Sequence, residues 1–329
     1  MSVFRSLTAG AMLAVSTLAA TAPALAADAY PSRPITLVVP FAAGGPTDVV
    51  ARAVGLAMSK QLGQPIVVEN KLGAGGTLAA GSVARAQPDG YTLFIHHNGM
   101  ATAPALYRKL QFNPLTDFEY VGQVVDVPMT LLGRKDLPPK NLPELIPYIK
   151  ANASKLTLAH AGLGAVSQLC GVIFQQAIGV QLQTVPYKGT APAMTDLLGG
   201  QVDLLCDQTT QTTAYIKAGS VKLYGVTTLQ RLKAMPETPT LDEQGLKGFQ
   251  VVVWHGIYAP KGTPRPVLDR VNAALKVALK DATVRQRMAD LGAEIVPESK
   301  QTPEGLRTWL KSETDRWGTV IRAAGEFAD

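Results

Sequence analysis

The stretch Ile35-Thr-Leu-Val-Val-Pro-Phe-Ala-Ala-Gly-Gly-Pro-Thr-Asp48 combines an apolar strand, a glycine turn and the start of a helix. Its first five residues are rich in β-branched side chains, which is typical of a parallel strand covered on both faces. Gly44 and Gly45 predict a turn with positive φ, while Pro46 and Asp48 favour a first helical turn. Free N–H groups at a helix start attract a carboxylate or a phosphate. The stretch therefore predicts either an ordinary strand-to-helix connection or an anion-binding turn.

Strands and helices alternate around this stretch, as in a doubly wound α/β fold whose ligands bind at the carboxyl ends of the strands. The sequence of strand, glycine loop and helix returns at residues 156–178, where Gly162-Leu-Gly164 occupies the loop. This recurrence favours the anion-binding interpretation. The predicted strands are 35–39, 65–70, 91–95, 156–160, 183–187, 202–206 and 221–227, and the predicted helices are 48–62, 77–87, 142–152, 165–178, 191–198, 212–218, 266–279, 284–291 and 303–324, with a polar turn at 207–210.

The length of the chain predicts two lobes with a cleft between them. About 300 residues after a leader are long for a single core and sufficient for two. An extended segment over residues 118–132 is long enough to cross between lobes, and residues 251–260 resemble the return crossing. We expect residues 28–128 together with 254–329 to form one lobe, and residues 129–253 to form the other.

Residues 1–27 have the composition of a secretory signal peptide. Arg5 is their one charged side chain, an apolar alanine-rich segment follows, and Ala24-Leu-Ala26 provides the small residues of a cleavage site. We expect cleavage after Ala26 or Ala27 and export to the periplasm, with a retained membrane anchor as the weaker alternative. The net charge of +6 falls to +5 without Arg5. This excess suits anionic small ligands, but no basic run of the kind that binds nucleic acid is present.

The chain contains two cysteines, Cys170 and Cys206. No Cys-x-x-Cys or His-x-x-x-His pattern occurs, so metal and thioredoxin-like sites have no support in the sequence. In an oxidising compartment a disulfide is the expected use of two cysteines. Cys170 falls early in a predicted helix and Cys206 ends a predicted strand of the same lobe, so we expect the two to be joined.

Several motifs together give the chain a family resemblance. They are Pro40-Phe-Ala-Ala-Gly-Gly-Pro-Thr-Asp48, Pro88-Asp-Gly-Tyr-Thr92, Gly162-Leu-Gly164, Pro186-Tyr-Lys-Gly189, Leu198-Gly-Gly-Gln-Val-Asp203 and residues 254–260. The set spans essentially the whole mature chain and resembles the Bug-type receptors of tripartite tricarboxylate transporters. The resemblance implies a two-lobed periplasmic binding protein of the type II-like architecture, monomeric, without enzyme activity or cofactor. It also implies an organic carboxylate as ligand and membrane permease subunits as partners.

The resemblance implies that two loops, one in each lobe, together bind one ligand carboxylate, partly through ordered water. We call residues 40–48 the first glycine turn and residues 161–168 the second glycine turn. The family often has proline where this chain has Ala43, and a hydroxyl residue and a histidine where it has Ala165 and Gln168. Backbone donors survive these changes, so the di- or tricarboxylate that the resemblance implies can still bind. The loss of polar side chains at positions 165 and 168 favours a less polar acid, for example an aromatic acid such as terephthalate.

Each candidate side chain also has a structural alternative. Phe41 and Tyr187 can pack beneath their loops, His97 and Asn98 can be ordinary turn residues, and His255 can be a satisfied hinge histidine. We expect Asp48 to hold the first glycine turn, since a carboxylate facing an anionic ligand would repel it. The candidate ligand-binding residues are Phe41, Gly44, Gly45, Thr47, Asp48, His97, Asn98, Gly162, Gly164, Ala165, Val166, Ser167, Tyr187, Asp207, Gln208 and His255.

An enzyme is the rival function. No Gly-x-Ser-x-Gly elbow, zinc-protease motif or Walker loop occurs, and Gly162-Leu-Gly164 is half of a dinucleotide fingerprint. A hydrolase with Cys206 as its nucleophile would need that thiol to be free. A sensor subunit that presents its ligand to a receptor kinase has the same sequence signature as a transport receptor, so that alternative stays open.

Overall fold

The computed structural model describes residues 30–324, so the predicted signal peptide and its cleavage site lie outside the described residues. The strands are β1 (Ile35–Val39), β2 (Ile66–Asn70), β3 (Thr92–His97), β4 (Phe118–Arg134), β5 (Thr157–His160), β6 (Gln183–Pro186), β7 (Leu204–Gln208), β8 (Val221–Val226), β9 (Val252–Pro260) and β10 (Glu294–Ile295). The helices are α1 (Pro46–Leu62), α2 (Thr77–Ala84), α3 (Gly99–Leu106), α4 (Leu142–Asn152), α5 (Val166–Ile178), α6 (Thr190–Leu198), α7 (Thr209–Lys217), α8 (Arg265–Lys280), α9 (Ala282–Asp290) and α10 (Pro303–Ala324).

The strands follow the order β2-β1-β3-β9-β4-β7-β5-β6, and β8 and β10 pair with β4 outside this path. Strands β2, β1 and β3 are parallel, as are β6, β5 and β7, and helices connect the strands within each set. The α/β fold with two doubly wound halves is thus confirmed. Within each half the carboxyl ends of the parallel strands point toward the junction, where ligands of such folds bind.

Strand β4 runs through both halves. Its residues 118–128 pair with β9, and its residues 129–134 pair with β7 and β8. The extended segment predicted at residues 118–132 is therefore confirmed, and β9 brings the chain back beside β3. The predicted lobe boundaries lie close to the change of partners at Pro128 and stay a prediction.

The buried apolar residues explain why these elements form. Strand β1 is buried almost completely, which agrees with its β-branched run and with its position between β2 and β3. The long helix α10 packs on α3 and β4 and buries Leu306, Leu310 and Trp317. Among residues 30–324 no helix is both long and apolar enough to cross a membrane.

Three local predictions were wrong. The polar turn at 207–210 does not exist, because Asp207 and Gln208 end β7 and Thr209 and Thr210 begin α7. The surrounding elements bury these polar residues, so a polar composition does not indicate an exposed turn here. Gly45 has a φ of −75° rather than a positive value, and helix α2 ends at Ala84 instead of near residue 87.

Candidate functional site

The first glycine turn connects β1 to α1 and is held by Asp48. Gly44 has a φ of +77°, a value that favours glycine, and its N–H donates to Asp48 Oδ2 at 2.9 Å. Arg52 Nε and Asn70 Nδ2 donate to the same carboxylate. Although burial opposes the shift, these bonds lower the pKa of Asp48, which therefore stays ionised. Asp48 thus holds the loop and does not line the cavity described below.

The second glycine turn connects β5 to α5 and repeats this geometry. Gly164 also has a φ of +77°, and its N–H donates to Gln168 Oε1 at 2.6 Å. Gln168 therefore does in the second turn what Asp48 does in the first, four residues after the glycine. Gly45 and Ala165 are the corresponding N-caps, and both have extended backbone without a side-chain cap.

Each helix start leaves backbone donors without a partner. Across residues 30–324 the N–H groups of Thr47 and Asp48 make no hydrogen bond, and neither do those of Val166 and Ser167. These are the orphan donors of a first helical turn, where the positive end of the helix dipole adds to them. The arrangement gives each half of the molecule one pair of amide groups able to donate hydrogen bonds to an oxyanion.

The two turns meet face to face. Phe41 packs against Ala161 and Ala165, and the N–H of Ala42 donates to the Lys188 carbonyl across the junction. Between the turns lies a cavity of about 20 Å³, enough for about one water molecule. The cavity between the two turns therefore has no room for an organic molecule. The cavity is lined by Phe41, Pro46, Thr47, His97, Met129, Ala161, Ala165, Val166, Ser167, Thr190, Asp207 and Gln208.

The cavity contains a buried carboxyl group without a cation. Asp207 is fully buried, and neither of its carboxyl oxygens has a hydrogen-bond donor among the described residues. Burial raises its pKa to about 7, while the backbone of Gln208 and the nearby Thr190 oppose the rise. The side-chain oxygen of Gln208 is likewise buried without a partner. The described lining includes no lysine or arginine.

Three buried histidines lie behind the first glycine turn. The ring of Phe41 stacks on His97 at 4.8 Å, and His255 Nε2 lies 3.2 Å from Thr47 Oγ1. Burial lowers the pKa of His97 to about 3 and moves the pKa values of His96 and His255 well below their usual range. The three rings are therefore neutral near pH 7 and form an apolar support for the turn.

The structure places the other predicted residues around the cavity rather than in it. Asn98 bonds to β9 through the Val252 carbonyl and the Trp254 N–H. The Tyr187 hydroxyl donates to Asp196 at 2.6 Å. The ring of Tyr187 and Gly162 line a second space of about 230 Å³ that shares Phe41 and Ala161 with the first. This second space gives a solute room next to the turns.

Sequence reasoning missed some residues that line the cavity. Met129 and Thr190 come from β4 and the start of α6, and neither belongs to a recognisable motif. Thr190 follows Gly189, so another strand, glycine and helix start was available as a signal. Tyr107 was also missed, and its hydroxyl lies 2.9 Å from the carbonyls of both Ala74 and Leu163.

The described residues give little support to catalysis or metal binding. No group of three histidine, cysteine, aspartate or glutamate side chains among residues 30–324 is arranged to hold a metal ion. Cys170 and Cys206 are joined in a disulfide with Cα atoms 6.2 Å apart, as predicted. The sulfur of Cys206 is therefore bonded and cannot act as a thiolate nucleophile, which removes the basis of the hydrolase hypothesis.

Known proteins resemble this chain over most of its length. A protein from the TAR-I ttuE-ttuC' intergenic region of Agrobacterium vitis is 51% identical over 92% of this chain and 88% of its own. The periplasmic binding protein BugD is 53% identical with a TM-score of 0.88, covering 90% of this chain and 99% of its own. MatC from Rhodopseudomonas palustris, solved with bound malate, is 44% identical with a TM-score of 0.85, covering 89% of this chain and 100% of its own.

The family model described as the tripartite tricarboxylate transporter family receptor matches residues 50–326. The match spans both halves of the fold and both helices that follow the glycine turns, apart from the first residues of α1. The chain belongs to the tripartite tricarboxylate transporter receptor family.

Proposed function

We propose that this protein is a periplasmic receptor that captures an organic carboxylate between its two lobes and delivers it to the membrane permease of a tripartite transporter. The observation that carries the proposal is the pair of matched glycine turns, which bring the unpaired amide groups of Thr47, Val166 and Ser167 to one cavity whose described lining contains no lysine or arginine. Helix starts of this kind bind carboxylates through backbone donors. Family membership supports the transport role, and the malate bound to MatC supports the ligand class.

The amide donors are sufficient for useful affinity. A hydrogen bond to a charged group contributes about 1.5–3 kcal/mol, so three or four of them account for roughly micromolar binding before the costs of association. The buried phenyl ring of Phe41 and the apolar lining from Ala161, Ala165 and Val166 exclude water and strengthen each bond. Since the described lining of the small cavity has no basic side chain, we expect these backbone bonds to hold the carboxylate there.

A thermal-shift screen tests the proposal. Monocarboxylates, dicarboxylates including malate, tricarboxylates and aromatic acids are added to the mature protein, and the best acid is then measured by calorimetry. We expect one class of acids to raise the melting temperature, and the matching amide or methyl ester to have no effect because it lacks the anion. The proposal fails if no carboxylate binds, or if ester and acid bind equally.

A further inference from the structure

Among the described residues that line the cavity, Asp207 is the one with a carboxyl group, and its position is unusual for a site that receives an anion. It lies on β7 opposite Thr130, and both of its oxygens are buried without a donor. Thr190 is close, but its hydroxyl donates to Gln211 Oε1 at 3.1 Å and has no second proton to give. An ionised carboxylate in this place would be desolvated and unpaired.

The groups that face Asp207 from neighbouring elements do not neutralise it. Strand β4 contributes Met129 and Thr130, α6 contributes Thr190, and α7 contributes Thr212, whose hydroxyl accepts from Thr130 at 3.1 Å. The second glycine turn contributes Ser167, which accepts from the Ala161 N–H. None of these side chains is charged.

The other titratable groups around the cavity each favour one protonation state at pH 7. His97 lines the cavity and His255 lies behind Thr47, and burial keeps both neutral. His160 ends β5 with its pKa lowered by burial, and Asp48 stays ionised. Burial places the pKa of Asp207 at about 7, so Asp207 changes charge between about pH 6 and pH 8.

An entering carboxylate changes this balance further. Two ionised carboxylates that share a small buried space repel each other, so the ligand's charge favours the neutral form of Asp207. A neutral carboxylic acid has an O–H donor, and an ionised ligand oxygen is its strongest available acceptor. Protonation thereby removes the buried charge of Asp207 and gives the ligand one more hydrogen-bond donor.

We propose, resting on the function proposed above, that Asp207 contacts the bound solute as a neutral carboxylic acid and donates a hydrogen bond to a solute carboxylate, so that capture is coupled to uptake of a proton. A receptor whose Asp207 is ionised takes that proton from the solvent when the solute binds. Asp207 thus selects for solutes that place a carboxylate oxygen, rather than an ammonium or ester group, against β7.

The first experiment uses the best of the screened acids whose carboxyl groups are all ionised above pH 6.5, and it measures the dissociation constant of the wild-type protein for that acid between about pH 6.5 and pH 8.5. With a free pKa near 7, the dissociation constant should rise roughly 25-fold over this range, approaching tenfold per pH unit at its upper end. Calorimetry in two buffers of different ionisation enthalpy should show uptake approaching one proton per solute at the upper end. A flat profile, or affinity that increases with pH as expected for an ammonium ligand, would overturn the inference.

Two variants distinguish the effect of ionisation at position 207 from the effect of the hydrogen-bond donor at that position. Asp207→Asn keeps the shape and an N–H donor without ionising, so it should bind with an affinity that is independent of pH and should take up no proton. Asp269→Asn makes the same change at a partly exposed site on α8 and should keep the wild-type profile. An Asp207→Asn protein that is folded by circular dichroism and retains the wild-type pH slope would also contradict the inference.

The outcomes distinguish this inference from the function on which it rests. If no carboxylate binds at any pH, the proposed function is wrong. If carboxylates bind with no proton uptake and no pH slope, the receptor function stands and the role of Asp207 is wrong.

Discussion

Single residues of the second glycine turn determine whether the two halves can meet. Gly164 has a positive φ, and a Cβ atom at this position would lie 3.0 Å from Leu106 Cδ1 in the opposite half. Gly179, at the other end of the same helix, also has a positive φ, but open space surrounds its Cβ position. The two glycines therefore share a backbone requirement and differ in their contact across the cleft.

Gly164→Ala and Gly179→Ala should separate these two effects. Each substitution places alanine in the left-handed region, at a cost of about 1–2 kcal/mol in the free energy of unfolding. Only Gly164→Ala should also weaken solute binding, by about tenfold or more, because the new methyl group obstructs closure. Urea unfolding and calorimetry measure the two quantities. Equal affinities in the two variants would show that the second turn does not close on the solute.

Buried titratable residues predict how stability depends on pH. The pKa values of His96, His97 and His255 are lowered in the folded protein, so the unfolded chain binds more protons below about pH 6.5. Their contribution to stability is present above that pH and is lost as the pH falls. The pKa of Asp207 is raised, so Asp207 acts in the opposite direction between about pH 4 and pH 7.

Asp207→Asn should therefore make the protein more sensitive to acid. As the pH is lowered from about 6.5 to about 4.5, the free energy of unfolding of the variant should fall more steeply than that of the wild type. The difference in slope should be about 1.4 kcal/mol per pH unit, which corresponds to one proton. Urea titrations of both proteins without solute give the two slopes. Parallel slopes would mean that Asp207 is ionised in the folded protein.

Loops and helices contribute contacts that the glycine turns alone do not provide. The Tyr107 hydroxyl, directly after α3, lies 2.9 Å from the carbonyls of Ala74 and Leu163, which belong to the loop before α2 and to the second glycine turn. The hydroxyl of Thr102 on α3 also lies 3.3 Å from the Gly164 carbonyl. Helix α3 thus holds the second glycine turn against the first half.

Tyr107→Phe should weaken solute binding about fivefold through faster release, since one hydrogen bond of the closed form contributes about 1 kcal/mol. Tyr30→Phe removes a comparable bond, from the Tyr30 hydroxyl to the Gly90 carbonyl, away from the cleft and should leave release unchanged. Stopped-flow measurement of the dissociation rate compares the two. A Tyr107→Phe protein that releases solute at the wild-type rate would show that this contact does not hold the closed form.

The disulfide connects helix α5 to strand β7 across 36 residues of sequence. A cross-link that closes a loop of this length stabilises a protein by roughly 3–4 kcal/mol in the loop-entropy model. Reduction in the native buffer should therefore lower the melting temperature by several degrees. Counting of free thiols in denatured protein before and after reduction provides the control, and an unchanged melting temperature after complete reduction would contradict the estimate.

At the scale of the whole molecule, the sequence predicts the order of elements better than it predicts the site. The alternation of strands and helices follows from local periodicity, and helix α4 lies at its predicted residues. The role of Asp48 also followed from charge, because a carboxylate at a helix start has local donors. The meeting of Ala161 with Phe41 depends on closure of the whole chain and has no local signal.

Buried polar residues account for the wrong prediction at residues 207–210. Asp207 and Gln208 were placed in a turn because their composition is polar, whereas neighbouring elements bury them at the end of β7. The short strand β10 has no periodic pattern and forms because it pairs with β4. Tertiary contacts therefore override local preference at the positions that line the cavity.

Strand β4 changes its pairing partner at Met129, where its residues begin to pair with β7. Thr227 forms hydrogen bonds that connect Met129 to the segment leading into β9. The Thr227 hydroxyl lies 3.1 Å from the Met129 N–H, its backbone N–H donates to the Met129 carbonyl at 2.9 Å, and its carbonyl accepts from Val251 at 3.0 Å. Opening of the cleft has to twist the backbone where these hydrogen bonds lie. The exchange of these amide hydrogens therefore reports on the opening. Deuterium exchange at Met129, Thr227 and Val251 should accordingly slow when solute is present, and its rate without solute gives the frequency with which the molecule opens.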